Sequence, residues 1–147
     1  MTENTQPWPA LELGEEDITC SSDLCFRNVN PIFISEGIIS SSAFMPTKGD
    51  EGELSTARSS KVTPRQHYDE FIQSGHSSDG VYSVTTDDIR EEKLRWVDNE
   101  SLQEESLYMT GHAYIDFRAC TSKGTQKRKA RSLARKAIQA YSSSSKE

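Results

Sequence analysis

Long apolar runs, paired cysteines and glycine-rich phosphate loops are all missing from this chain, and each absence removes a class of function. No stretch approaches the roughly 18 apolar residues of a membrane-spanning helix, and MTENTQPWPALELGEED lacks the basic and apolar segments of a signal peptide. The expectation is a cytoplasmic protein without membrane contact. Cys20, Cys25 and Cys120 are odd in number and show no Cys-x-x-Cys spacing, so neither a disulfide framework nor a standard zinc site is indicated. His67, His76 and His112 form neither His-x-x-x-His nor His-Glu-x-x-His, and no metal is expected. Gly49 and Gly52 lack the Lys-Ser/Thr ending of a P-loop and the strand-to-helix setting of a dinucleotide turn. ATPase and dehydrogenase readings are thereby disfavoured, and no cofactor is expected.

What is present is enough apolar material for one modest core: 33% of 147 residues are hydrophobic and 27% charged. The charge is split. Residues 1–117 hold 8 Lys/Arg against 22 Asp/Glu, whereas residues 118–147 hold 9 against 1. An acidic body with a basic end speaks to electrostatic partners rather than to fold.

Local patterns place the elements. Leu24–Val29 alternates as a strand, and Asn30-Pro31 reads as a cap and first helical position, with Gly37 closing a short helix at 31–36. Residues 38–45 suggest a second strand or extended segment ending at Pro46, and 54–57 a short one after a polar loop. Thr63-Pro64 followed by Tyr68, Phe71 and Ile72 gives a helix ending at Gly75. Residues 80–86 read as a core strand, and Asp87-Asp88 favour a helix over 87–94. Trp96-Val97 starts another strand, and residues 98–106 form an acidic loop. Residues 111–117 alternate, with Ala113, Ile115 and Phe117 on one face and His112, Tyr114 and Asp116 on the other. From about Thr125 to Tyr141, Ala130, Leu133, Ala134, Ala137, Ile138 and Tyr141 recur at helical spacing.

The expected fold is therefore one α+β domain over residues 19–141. It has a small mixed or antiparallel sheet of four to five strands, three or four helices packed mainly on one side, and a basic amphipathic C-terminal helix. Residues 1–18 read as a disordered acidic lead that docks Trp8 or Leu13, and 142–147 as a disordered tail.

Two surfaces carry functional expectations. The leading one is the basic helix, whose Lys127, Arg128, Lys129, Arg131, Arg135 and Lys136 would engage a macromolecular partner, an acidic protein surface or nucleic acid. The alternative is a nucleotide-handling enzyme in which Arg27 clamps phosphate, Ser55 positions the ligand and His112 serves as acid or base. That reading requires the three to line one pocket on one side of the sheet. A third expectation, a self-associating module, is read from native mass alone.

Two resemblances bear on these. An arginine on an early strand followed by a Ser-Thr pair, here Arg27, Ser55 and Thr56, resembles ADP-ribosyltransferases. In those enzymes arginine and serine hold the dinucleotide and a glutamate orients the ribose. Glu104 and Glu105 fall in a loop, and Asp116 is the wrong carboxylate. Separately, Phe26-Arg27-Asn28-Val29-Asn30-Pro31-Ile32-Phe33-Ile34, Gly37, Ser41–Thr47, Asp50, Leu54-Ser55 and His112–Phe117 resemble a family of small uncharacterised bacterial proteins. The position of Asn30 is usually histidine there. That resemblance implies a bacterial cytoplasmic protein of one fold and transfers no activity.

Overall fold

A computed structural model describes residues 6–104 and 109–145. Glu105, the end of the acidic loop, and the outermost residues of both expected tails lie outside the described residues. Strands β1 (Glu16–Asp17), β2 (Leu24–Val29), β5 (Glu53–Arg58), β6 (Gly80–Thr85), β7 (Arg95–Asp98), β8 (His112–Asp116) and β9 (Ile138–Ser142) form one sheet. Its order is β1-β7-β8-β5-β2-β6-β9, and every pairing is antiparallel. A separate hairpin joins β3 (Ile34–Ser35) to β4 (Ile38–Ile39). Three α-helices among the described residues complete the fold: α1 (Pro64–Gln73), α2 (Thr86–Glu91) and α3 (Lys123–Lys136).

This β-rich architecture corrects the expected four to five strands, and it places helices on both faces. Cys25 and Val29 of β2 join a core with Ile89 of α2, and with Ala130 and Leu133 of α3. The intervening Phe26 packs the other way, against Tyr68 and Ile72 of α1. Alternation along one strand thus feeds two cores, as a doubly covered sheet requires.

The two extra strands lie at the edges, where patterning is weakest. β1 is two acidic residues. β9 takes up positions that fit a helical stripe: α3 stops at Lys136, and Ala137 turns extended at φ −65°, ψ 138°. Ile138, expected on the buried stripe, is 71% exposed on the edge strand. The short helix expected at 31–36 is a single 3-10 turn over Pro31–Phe33, capped by the Asn30 side chain. Glu36 and Gly37 then both take positive φ, 52° and 78°, in a two-residue turn between the isoleucine-bearing strands. Residues 41–44, expected as extended, coil into another 3-10 turn that buries Ala43 and Phe44.

Residues 6–18 run beside the β7–β8 end of the sheet. Arg95 donates to the Pro9 carbonyl at 2.7 Å and lies 5.5 Å from the Trp8 ring, whereas Leu13 is 98% exposed. Arg95 and Arg118 both grip the fully buried Asp116, at 2.8 and 2.9 Å, which takes that carboxylate out of any site chemistry. No helix among the described residues is long and apolar enough to cross a membrane.

The close approach of β9 to β6 depends on Gly80, where a Cβ would sit 2.2 Å from the Tyr141 carbonyl oxygen. Gly80→Ala is expected to cost about 2–3 kcal/mol in urea denaturation. It should also expose the Ile138–Ser142 amides to hydrogen exchange; unchanged stability and protection would show that the contact is not limiting.

Candidate active site

The site begins where the sheet parts. β2 pairs with β6 along its whole length but with β5 only at Cys25 and Phe26, while β5 stays paired with β8. Beyond Phe26 the carbonyls facing the gap have no ladder partner, and Arg27 supplies one. Its Nη1 donates to the Ser55 carbonyl and its Nε to the Ala43 carbonyl, each at 2.9 Å. By alternation Arg27 leans toward the α3 face and His112 toward the α1 face. The parting lets the guanidinium lie in the gap, and both residues line one cleft of about 570 Å³. Arg27 forms no salt bridge among the described residues. Burial pulls its pKa down, with Asp50 opposing from a distance.

β5–β8 pairing sets Ser55 opposite Tyr114 and Ala57 opposite His112, so Ser55 and His112 are diagonal neighbours on one face. His112 Nε2 is 3.3 Å from Ser55 Oγ, and Nδ1 is 2.6 Å from Asn99 Oδ1. Asn99 precedes the 3-10 turn Glu100–Leu102 but does not cap it with its side chain, which turns to His112 instead. An amide oxygen only accepts, so Nδ1 carries the proton and the Nε2 lone pair faces the serine. Burial lowers the His112 pKa, against the opposing pull of Asp98 and Glu100, and so favours the neutral ring.

The segment carrying Asn99 is clamped on both sides. Asp98 accepts from Arg58 at 2.7 Å and Lys61 at 2.8 Å, and Glu100 accepts from Lys61 and from the Gly111 amide. Arg58 is tied in turn to Asp23, which is only 2% exposed.

The opposite wall comes from α1 and the residues after it. His67 is 5% exposed, and its Nδ1 finds no hydrogen-bond partner among the described residues. Burial brings its pKa to about 4; Glu70 opposes this, while the charges of Arg27 and His112 add to it. Beneath it Asn28 donates to the His67 carbonyl and accepts from Ser78. At the mouth the Phe71 and His76 rings stack at 4.7 Å and 23°.

Arg27, Ser55, His112 and Glu104 all line this cleft. Arg27 reaches it from the opposite face of the sheet to Ser55 and His112, so the expectation that the three share one side is not met and they meet only across the parting. Thr56 is spent in the core, donating to the Ala113 carbonyl and accepting from Trp96. Asn99 and His67 escaped sequence reasoning: Asn99 sits in an acidic loop without a spacing signal, and His67 is a helical histidine. Of the α3 cations, Lys129 is 1% exposed and donates to the Glu92 carbonyl, and Lys136 pairs with Glu91 and Glu92. Lys127, Arg128, Arg131 and Arg135 are exposed. No group of three His, Cys, Asp or Glu among the described residues is placed to hold a metal ion. Comparison with protein-family models, curated proteins and solved structures gave no match.

The depressed His67 value has a stability consequence. The unfolded chain binds a proton at the ordinary histidine pKa of about 6.5, whereas the folded chain binds it only near 4. Stability contributed by neutral His67 is therefore present above the unfolded value and lost as pH falls through this window. His67→Phe should flatten the pH dependence of urea midpoints between these values; an unaltered slope would contradict the assignment.

Proposed function

We propose that the cleft binds and acts on a small phosphorylated ligand of the nucleotide class. The carrying observation is Arg27, a partly buried cation without a carboxylate partner among the described residues, facing the cleft that holds Ser55 and His112. The bonds of Arg27 to two carbonyls leave its charge uncompensated, and a ligand phosphate in the cleft supplies the counter-charge. The Phe71 and His76 rings at the mouth offer a flat surface on which a base stacks. His112, neutral and oriented by Asn99, is suited to take a proton. Glu104 at the cleft supplies the carboxylate that ADP-ribosyl transfer uses, which makes NAD+ one member of the ligand panel.

Calorimetric titration with AMP, ATP and NAD+ tests this. At least one should bind, and Arg27→Gln should weaken binding about tenfold or more, as loss of a charge-assisted hydrogen bond implies. Arg27→Lys, which keeps the charge, should recover part of that loss and guards against a folding defect. No binding at millimolar concentration, or equal binding by folded Arg27→Gln, would overturn the reading.

A second reading rests on the exposure of Lys127, Arg128, Arg131 and Arg135 on α3. These cations would dock an acidic protein surface or nucleic acid. Lys127→Glu with Arg131→Glu should abolish capture of such a partner, with and without nuclease treatment; unchanged capture and salt dependence would remove this reading.

A further inference from the structure

We propose that Ser55 is a nucleophile, that His112 is its general base, and that Asn99 is the positioning residue, so that the cleft hydrolyses a phosphate ester through a covalent serine intermediate. This rests on the cleft reading above and adds a reaction to it. Three observations carry it. Ser55 is exposed to the cleft on a paired strand, so its hydroxyl is presented by a rigid element. His112 Nε2 lies 3.3 Å from that hydroxyl, within the looser range of an unliganded site. Asn99 Oδ1 holds Nδ1 at 2.6 Å in place of capping its own turn, which fixes the tautomer that leaves Nε2 free to accept.

These are the parts of a nucleophile, a base and an orienting group. In the first step the Ser55 hydroxyl proton passes to Nε2 as Oγ bonds to phosphorus. The bond from phosphorus to the leaving oxygen breaks, and His112 returns the proton to that oxygen. Water then gives a proton to Nε2 and attacks phosphorus, the Oγ–phosphorus bond breaks, and Ser55 recovers its proton. Arg27, whose guanidinium bonds the Ser55 backbone carbonyl, lines the same cleft from across the parting and is the cation there that would hold phosphate charge.

The charged and titratable groups around the imidazole are Asp98 and Glu100 from the β7 end, His67 from α1, Arg27 from β2 and Glu104 at the rim. Asp98 and Glu100 are already engaged by Arg58 and Lys61. The neutral ring is the competent form, so reactivity is full at neutral pH and falls as pH drops through the lowered His112 value.

The test uses a fluorophosphonate probe on the intact protein, with the modified residue located by peptide mass spectrometry. Labelling is expected on Ser55, with loss of fluoride, and is abolished in Ser55→Ala. His112→Gln should slow it about 10²-fold, the usual scale of general-base catalysis. Asn99→Ala should slow it about tenfold or more, whereas Asn99→Asp should move the pH midpoint upward by placing a carboxylate against Nδ1. A purely structural Asn99 would change stability and leave that midpoint in place. Melting temperatures check folding, and Ser55→Cys, tested with iodoacetamide, preserves a nucleophile at the same position. Absence of labelling in the folded protein, labelling elsewhere, or a rate indifferent to His112 would overturn the proposal. If Arg27-dependent nucleotide binding survives that outcome, the cleft reading stands and only the covalent chemistry falls.

Discussion

The gap between β2 and β5 is the constraint on which the rest of the site depends. Two ladder pairs hold these strands together, and past them the Arg27 guanidinium bonds the Ser55 carbonyl of β5 and the Ala43 carbonyl of the adjacent turn. One side chain thus bonds both a strand carbonyl at the parting and a carbonyl of the neighbouring 3-10 turn. The same side chain ties the 3-10 turn that buries Phe44 to the centre of the sheet. It also leaves a positive charge at the floor of a cleft whose other contributors come from α1, β5, β8 and the loop after β7.

Rigidity around this gap comes from charge networks at the opposite ends of the strands. Asp23, Arg58, Asp98, Lys61 and Glu100 form one chain of contacts that fixes the start of β2, the end of β5 and the segment bearing Asn99. Asp116, Arg95 and Arg118 do the same at the far end of β8 and bind the N-terminal segment. Removing one partner from such a buried arrangement typically costs about 3 kcal/mol or more, because it strands the other charge. The excess of carboxylates before residue 118 is thus partly internal cement; on α3, Lys136 pairs with Glu91 and Glu92, while Lys129 is held by the Glu92 carbonyl.

Much of the middle of the fold was legible in the sequence. Alternation identified β2, β6 and β8 with the correct faces for His112 and Ala113, and Thr63-Pro64 with Gly75 marked α1. The edges were not. Two-residue β1 has no period to read, and Ala137, Ile138 and Tyr141 fit a helical stripe, although the chain turns extended at Ala137 and puts Ile138 and Tyr141 on an edge strand. The hairpin at 34–39 was obscured by a genuine Asn-Pro cap that starts only one turn. At the site, residue types singled out Arg27, Ser55 and His112, but their meeting depends on register and on the parting of two strands, which no local pattern encodes. Asn99 and His67 acquire their character from neighbours distant in sequence.

The central claim, that anion recognition resides in the Arg27 cleft, is tested most directly by NMR titration of the labelled protein with AMP, following backbone amides and arginine Nε–H signals together. The account predicts that the largest shifts fall on the Arg27 Nε–H and on the amides of Ser55, Asn99 and His112, with α3 unchanged. Shifts confined to Lys127, Arg128 and Arg131, leaving the Arg27 signal in place, would contradict it.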